Sequence, residues 1–358
     1  MPPRPAPLRV GLVGYGLAGS VFHAPLIAAT PDLELAAVVT RDPERRAKLR
    51  ATHPRASALD TPEDLWARAR DLDLAVVATP NRSHVPIARA ALEAGLPVVV
   101  DKPFAPTSAA GRELAADARQ RGLLCTVFQN RRWDGDFLTI RRLLGAGALG
   151  AVRRFESRFE RWSPVPRAAW KERPEPEEAG GLLFDLGAHL VDQALQLFGP
   201  VASVYAELDR RRPGVAVDDD TFLALSHASG VRSHLWMSKV AAQLGPRFRV
   251  QGDRAAFTKF GLDPQEPALA AGGSPGSPGW GEEPPELWGR LGMEGATQEV
   301  RTDAGSYQRF YAGVATALRG EAPPPVDPAD AIAALEIIEA ARRSAEQGQT
   351  VRLAATSP

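Results

Sequence analysis

The chain reads as an α/β protein: an N-terminal doubly wound parallel sheet, then an α+β domain built on a large, open, mostly antiparallel sheet. Three observations predict this. The first third alternates short apolar runs with helix-compatible stretches, as a parallel sheet covered on both faces requires. Its first apolar run passes straight into the glycine-rich turn Gly14-Tyr15-Gly16-Leu17-Ala18-Gly19. After residue 128 the alternation stops and longer strand-like runs take over. A length of 358 residues has room for two such domains, expected at 1–128 and 129–358.

The first strand, Arg9–Val13, delivers the GxGxxG spacing of Gly14, Gly16 and Gly19. The first glycine allows the tight turn, the second lets backbone approach a pyrophosphate, and the third lets the helix at Ser20–Ala29 pack on the sheet. That helix start offers N–H groups and partial positive charge to phosphates. The second strand, Leu35–Thr40, ends at Thr40-Arg41, about 20 residues past the glycines, where an acidic residue would meet the ribose 2′-hydroxyl of NAD. A hydroxyl and a guanidinium suit a 2′-phosphate instead, because arginine pairs bidentately with phosphate oxygens. NADP is the expected cofactor and NAD the alternative. Asp42, ahead of Pro43, is expected to cap the next helix. Strands at Leu74–Ala78, Pro97–Val100 and Leu124–Phe128 complete the first sheet. Helices at Pro43–Ala51, Pro62–Arg70, Val85–Ala94 and Ser108–Arg121 flank it, and Gly95 stops the third of them.

The second domain opens with a helix at Asp136–Ala146 and a strand at Val152–Arg161, in which Phe155, Ser157 and Phe159 share a face. Further strands are expected at Val201–Leu208, Thr221–His227, Arg232–Met237, Arg247–Gln251 and Ala255–Phe260. The Pro- and Gly-rich stretch Asp263–Glu286 reads as a surface loop without regular structure. Ala329–Gln347 reads as a closing helix with Ile332, Leu335 and Ile338 on its apolar face. An open sheet leaves one face to water, so a homo-oligomer, dimer or tetramer, is expected.

Forty-three basic residues balance 43 acidic ones, which argues against a nucleic-acid or anionic-membrane partner. Cys125 is the single cysteine, excludes an intrachain disulfide, and reads as a small buried hydrophobe. The N-terminal MPPRPAPLRV lacks the apolar stretch of a secretory signal and no window approaches a transmembrane helix, so a cytoplasmic location is expected.

Three further segments carry chemistry. Thr79-Pro80-Asn81-Arg82-Ser83-His84 follows one strand, and Asp101-Lys102-Pro103 follows the next. Ligands of open α/β sheets bind at such carboxyl ends. Gly180-Gly181-Leu-Leu-Phe-Asp185-Leu-Gly-Ala-His189 puts a carboxylate and an imidazole four apart, on one face of a helix. No third ligand has suitable spacing to these two, so no metal is expected. His23, His53, His227 and His234 read as structural.

Together these segments resemble the glucose-fructose oxidoreductase, inositol dehydrogenase and rhizopine-catabolism family over essentially the whole chain. Phe22-His23-Ala24-Pro25, Val127 to Trp133, Leu262 to Glu266 and Gly279 to Gly281 are similar to a bacterial subgroup that includes NADP-dependent scyllo-inositol dehydrogenases. Asp101 stands where the family usually has glutamate. The resemblance implies hydride transfer between a nicotinamide and a secondary hydroxyl or carbonyl of a sugar or cyclitol. His189 would be the acid/base group, suited by an imidazole that titrates near working pH. Lys102 would polarise the reacting oxygen, and Asp185 would orient ring or substrate. Cofactor contacts are expected from Gly14, Tyr15, Gly16, Leu17, Ala18, Gly19, Thr40, Arg41, Thr79, Pro80, Asn81, His84, Asp101, Lys102 and Asn130. Lys102, Arg131, Asp185 and His189 are the substrate-binding candidates, while Trp133, Trp162 and Trp170 fit a sugar cleft or simple packing equally well. A dihydrodiol or other carbonyl oxidoreductase, or an NAD-dependent glycosidase, would use the same residues. A non-catalytic dinucleotide-sensing regulator of this fold is the alternative from another class; it predicts loss of the lysine or histidine, and both are kept.

Overall fold

Residues 6–166 and 172–353 are described by a computed structural model; Trp170 and Lys171 lie outside the described residues. Two compact units interleave along the chain. The first gathers Met1–Trp133, Gln265–Trp280 and Ser306–Ala331, and the second Asp134–Pro264, Gly281–Gly305 and Ile332–Pro358. The chain thus returns to the first unit twice, which a single cut after residue 128 does not capture.

In the first unit β1 (Leu8–Val13), β2 (Leu33–Val39), β3 (Ser57–Leu59), β4 (Leu74–Val77), β5 (Val98–Val100) and β6 (Cys125–Val127) form one sheet. Its order is β3-β2-β1-β4-β5-β6, with every pairing parallel. Every residue of β4 and β5 is fully buried, which is why these strands read as unbroken apolar runs. The edge strand β3 has three half-buried residues and carries no such signal. Asp42 caps the helix Pro43–Thr52 as expected, its carboxylate accepting from the Glu44 and Arg45 N–H groups at 3.0 Å each. The stretch after the glycines begins as a π-helical turn, Ala18–His23, and becomes α-helical at Ala24–Ala28. Pro62–Arg70 breaks into a helix at Pro62–Trp66 and a 3-10 turn at Ala69–Asp71. Cys125 is buried, and burial pushes its thiol up to about 12, the behaviour of an inert core group.

The expectation of an irregular loop over Asp263–Glu286 is corrected: it holds a helix, Gln265–Ala270, and a 3-10 turn, Pro285–Leu287. The fully buried Gln265 explains the order. Its amide oxygen accepts from the Tyr307 N–H at 2.7 Å and from Trp280 Nε1 at 3.2 Å, while its nitrogen donates to the Trp133 carbonyl at 3.1 Å. These long-range bonds outweigh a composition that marks only the turns around the helix. A helix at Gln308–Leu318 then buries Phe310 and Tyr311 against Phe128, with ring centroids 5.0 and 6.0 Å away.

The second unit is built on β7 (Val152–Glu160), β8 (Val201–Asp209), β9 (Asp220–His227), β10 (Arg232–Ser238), β11 (Phe248–Gly252), β12 (Ala256–Lys259), β13 (Gly289–Met293), β14 (Ala296–Val300) and β15 (Val351–Arg352). The order is β14-β13-β12-β11-β7-β10-β9-β8-β15, antiparallel except for the β7–β10 pair. Alternation sends Phe155, Phe159, Leu223, Leu225, Leu235 and Phe248 to a fully buried face, each side chain contributing about 1.5–3 kcal/mol. The helix Ala188–Phe198 belongs to that core through Leu190, Val191 and Ala194. Arg247 ties it to the sheet, donating to Gln193 Oε1 at 3.0 Å and to Ser157 Oγ at 2.5 Å. The opposite face carries half-buried Phe222, His234 and Trp236, with the Arg158 guanidinium 3.9 Å over the Trp236 ring.

Candidate active site

The strand order sets β2, β1, β4, β5 and β6 side by side. Their carboxyl ends therefore bring Thr40-Arg41, Gly14–Gly19, Thr79–Asn81, Asp101-Lys102 and Asn130 to one edge of the first unit. This is where parallel sheets receive ligands, at the switch between β1 and β4.

The three glycines differ in what demands them. Gly14 has a φ of +100°, and a Cβ there would lie 2.4 Å from the Ala78 carbonyl oxygen. A Cβ on Gly19 would lie 2.0 Å from the Gly14 carbonyl oxygen. Both are required by the protein's own packing. A Cβ on Gly16 would meet nothing nearer than Arg45 Nη1 at 3.9 Å. The protein does not need a glycine there; a pyrophosphate lying against that backbone would. Leu17 is exposed beside it, whereas the Tyr15 ring is buried with its hydroxyl 3.2 Å from Thr52 Oγ1, so residue 15 can serve a ligand only through its backbone.

At the β2 tip Thr40 is buried and Arg41 is exposed, its Nε donating to the Asp60 carbonyl at 3.1 Å. Arg46 is committed to Asp60 Oδ1 at 2.6 Å and to the Thr40 carbonyl at 2.8 Å. Arg45, which reasoning from the sequence missed, is half exposed and lies over the Gly16 side of the turn. Its signal was its place, one helical turn beyond Arg41.

At the neighbouring strand ends Asn81 is buried in a 3-10 turn, Asn81–Ser83. The Lys102 N–H donates to Asp101 Oδ1 at 2.8 Å. His84 is buried and spans the two loops: Nδ1 lies 2.8 Å from the Pro103 carbonyl oxygen and Nε2 lies 2.9 Å from that of Thr79. Its ring braces the loops from beneath instead of being offered to a ligand. Burial pushes Asp101 up, but His23, His84 and Lys102 outweigh it and hold the carboxyl below its ordinary value.

In the second unit, Asp185 sits on a π-helical turn, Leu183–Gly187, that runs into the helix Ala188–Phe198, where His189 stands in the first turn. Asp185 is half-buried and His189 is 4 % exposed. Asp218 caps the turn, accepting from the Leu183 N–H at 2.7 Å and the Thr221 hydroxyl at 2.8 Å. Gly181, with a φ of +96°, is obligatory, since a Cβ there would lie 2.0 Å from Asp218 Oδ1. Burial raises the Asp218 carboxyl above its ordinary value despite those bonds. A cavity of about 350 Å³ borders this turn, lined by Arg173, Gly180, Leu183, Phe184 and Arg342, and neither Asp185 nor His189 lines it.

Other candidates are placed differently. Arg131 is buried within the first unit and paired with Glu266 at 2.6 Å, a structural engagement that competes with a substrate role. Trp133 packs edge-on against Phe310 at 5.8 Å, and Trp162 is exposed. His227 is a sheet residue, with Nδ1 2.8 Å from the Gly199 carbonyl oxygen and Nε2 2.8 Å from Ser233 Oγ. Among the described residues no group of three or more His, Cys, Asp or Glu is arranged to hold a metal ion, and no helix is long and apolar enough to cross a membrane.

Known proteins match this chain over almost its full length. The profile of the oxidoreductase family's NAD-binding Rossmann fold matches residues 8–129, and that of its C-terminal alpha/beta domain matches residues 141–353. The uncharacterized oxidoreductase YdgJ of Escherichia coli is 41% identical over 349 residues, covering 97% of this chain and 99% of that protein. The scyllo-inositol 2-dehydrogenase (NADP(+)) IolW of Bacillus subtilis is 33% identical over 350 residues, covering 97% and 96%. The solved structure of the oxidoreductase yvaA of Bacillus subtilis superposes with a TM-score of 0.91 at 33% identity, covering 97% of this chain and all of that one. The chain belongs to the Gfo/Idh/MocA family of oxidoreductases, and residues 8–129 are its NAD-binding domain.

Proposed function

We propose that the protein is an NADP-preferring dehydrogenase or reductase acting on a secondary hydroxyl or carbonyl of a sugar or cyclitol. The observation that carries the reading is the open space at Gly16, bordered by Arg45. A dinucleotide fits it: the pyrophosphate takes the glycine turn, and Arg41 and Arg45 offer guanidinium groups to a ribose 2′-phosphate. The cyclitol class is supported by the printed activity of the Bacillus subtilis relative.

The Gly14–Gly19 turn would hold a dinucleotide, whose nicotinamide would supply the hydride acceptor or donor for the carbinol carbon. The chain's own groups handle the proton and the charge. His189 takes the hydroxyl proton in oxidation and returns it in reduction. The Lys102 ammonium stabilises negative charge developing on the same oxygen, and Asp185 orients the imidazole or a neighbouring substrate hydroxyl. The half-buried aromatic face around Phe222 and Trp236 supports a homo-oligomer in which a second copy covers it.

Titration of the purified protein with NADPH and NADH, followed by turnover on a panel of inositols and aldoses, tests this. Tighter NADPH binding is expected, with the preference falling about tenfold or more in the Arg41→Ala/Arg45→Ala variant. Preference for NADH would overturn the phosphate argument. Binding without turnover on any substrate would favour a dinucleotide-sensing regulator.

A further inference from the structure

The helix Pro43–Thr52 is stitched to the glycine turn along one face, and these stitches have no part in the dinucleotide fit itself. Arg45, Lys48 and Thr52 recur at three- and four-residue spacing, which puts them in one stripe on a helix. Each meets the glycine turn or the start of the π-helical turn behind it, all within the first unit. Arg45 Nη1 lies 3.9 Å from the place a Cβ on Gly16 would take. Lys48 Nζ donates to Ser20 Oγ at 3.3 Å. Thr52 Oγ1 is 3.2 Å from the Tyr15 hydroxyl. The Thr52 proton goes to the Lys48 carbonyl at 2.9 Å, so Tyr15 is the donor between the two hydroxyls. Tyr15 stands between Gly14 and Gly16 and is 2 % exposed. A hydroxyl in such a place costs free energy unless it is served, and Thr52 serves it. Burial raises the Tyr15 phenol above its ordinary value, with Thr52 pulling the other way, so it stays a neutral donor.

The helix is thus tied at both ends: its first turn to the β2 tip through Arg46, Thr40 and Asp60, its last to the glycine turn through Thr52. Arg45 stands between the two ties, half exposed, with Nε 3.6 Å from Asp42 Oδ2. We propose that Tyr15 and Thr52 are positioning residues for Arg45: their hydrogen bond holds the helix face against the glycine turn and keeps the guanidinium over Gly16. There the guanidinium separates a 2′-phosphorylated dinucleotide from an unphosphorylated one. That last step rests on the reading of Arg45 as a ligand of the 2′-phosphate.

Two measurements on the whole protein separate the positioning from that reading. Hydrogen–deuterium exchange without ligand, followed by mass spectrometry, reports on the helix Pro43–Thr52, with the helix Ser108–Gln120 as internal reference. Fluorescence titration reports the ratio of NADPH to NADH affinity, which a general loosening of the nucleotide site leaves unchanged. Tyr15→Phe keeps the ring and leaves Thr52 its bond to the Lys48 carbonyl. In this variant the amides of Pro43–Thr52 exchange about threefold faster while the reference does not move. The affinity ratio falls about threefold as well. Thr52→Val reproduces both changes, and Thr52→Ser, which keeps the hydroxyl, behaves like the wild type. In an Arg45→Ala background Tyr15→Phe lowers the ratio no further, because the two residues act as one. Unchanged exchange in folded Tyr15→Phe and Thr52→Val overturns the proposal, and so does an equal further loss of the ratio in Arg45→Ala. Faster exchange in Tyr15→Phe, in a protein that binds NADH as tightly as NADPH, upholds the positioning and overturns the phosphate reading.

Discussion

A methyl group at position 19 would sit 2.0 Å from a backbone oxygen, while one at position 16 would have 3.9 Å of clearance. Gly19→Ala is therefore expected to destabilise the fold by about 1–3 kcal/mol through overpacking, measured by urea unfolding. Gly16→Ala is expected to unfold like the wild type yet bind NADPH about tenfold or more weakly, measured by fluorescence titration. The GxGxxG spacing was legible in the sequence; which glycine answers to the ligand was not, because that depends on the carbonyls facing each one. Lys102 was legible for a different reason, since it follows an apolar strand in a chain where arginine is the usual base. Arg131 and Tyr15 show the limit. Their partners, Glu266 and Thr52, lie far along the chain, and nothing local marks a buried engagement.

The turn that carries Asp185 depends on a residue 33 positions later. Removing the Asp218 carboxylate in Asp218→Ala leaves the Leu183 N–H and the Thr221 hydroxyl without their acceptor. The cost is expected at about 1–3 kcal/mol, with a lower kcat as the turn bearing Asp185 loosens. Chemical denaturation and steady-state kinetics of one preparation check both. The spacing of Asp185 and His189 was read as one face of a helix; the π-helical turn and its cap were not legible, because Asp218 comes from a separate loop. The same holds for the helix Gln265–Ala270, whose order comes from a buried glutamine bonded to three distant partners.

For the molecule as a whole, two buried histidines contribute to the pH dependence of stability. Burial pushes both His84 and His227 below their ordinary value of 6.5. The unfolded chain then takes up protons near that value which the folded protein refuses, so acid favours unfolding. Their contribution is complete above about pH 7 and declines as the pH falls through 6.5 toward the folded values. The melting temperature is expected to be higher at pH 7.5 than at pH 5.5, and His227→Gln to flatten part of that slope. An unchanged melting temperature across the window would contradict the burial argument. At this scale the parallel sheet and the switch to a mostly antiparallel one were legible from the alternation of apolar runs with helix-compatible stretches, the glycine turn and the longer strand-like runs after residue 128. The interleaving of the two units was not, because the segments that return to the first unit are held by side chains such as Gln265 and Tyr311 and not by a repeating pattern.

Turnover itself is decided by following nicotinamide absorbance with scyllo-inositol, related cyclitols and aldoses, comparing the wild type with Lys102→Met. The expected result is NADP-linked oxidation by the wild type and a loss of about 10²–10³ in kcat for the variant. Undiminished turnover by Lys102→Met would contradict the role given to Lys102 and, with it, the mechanism.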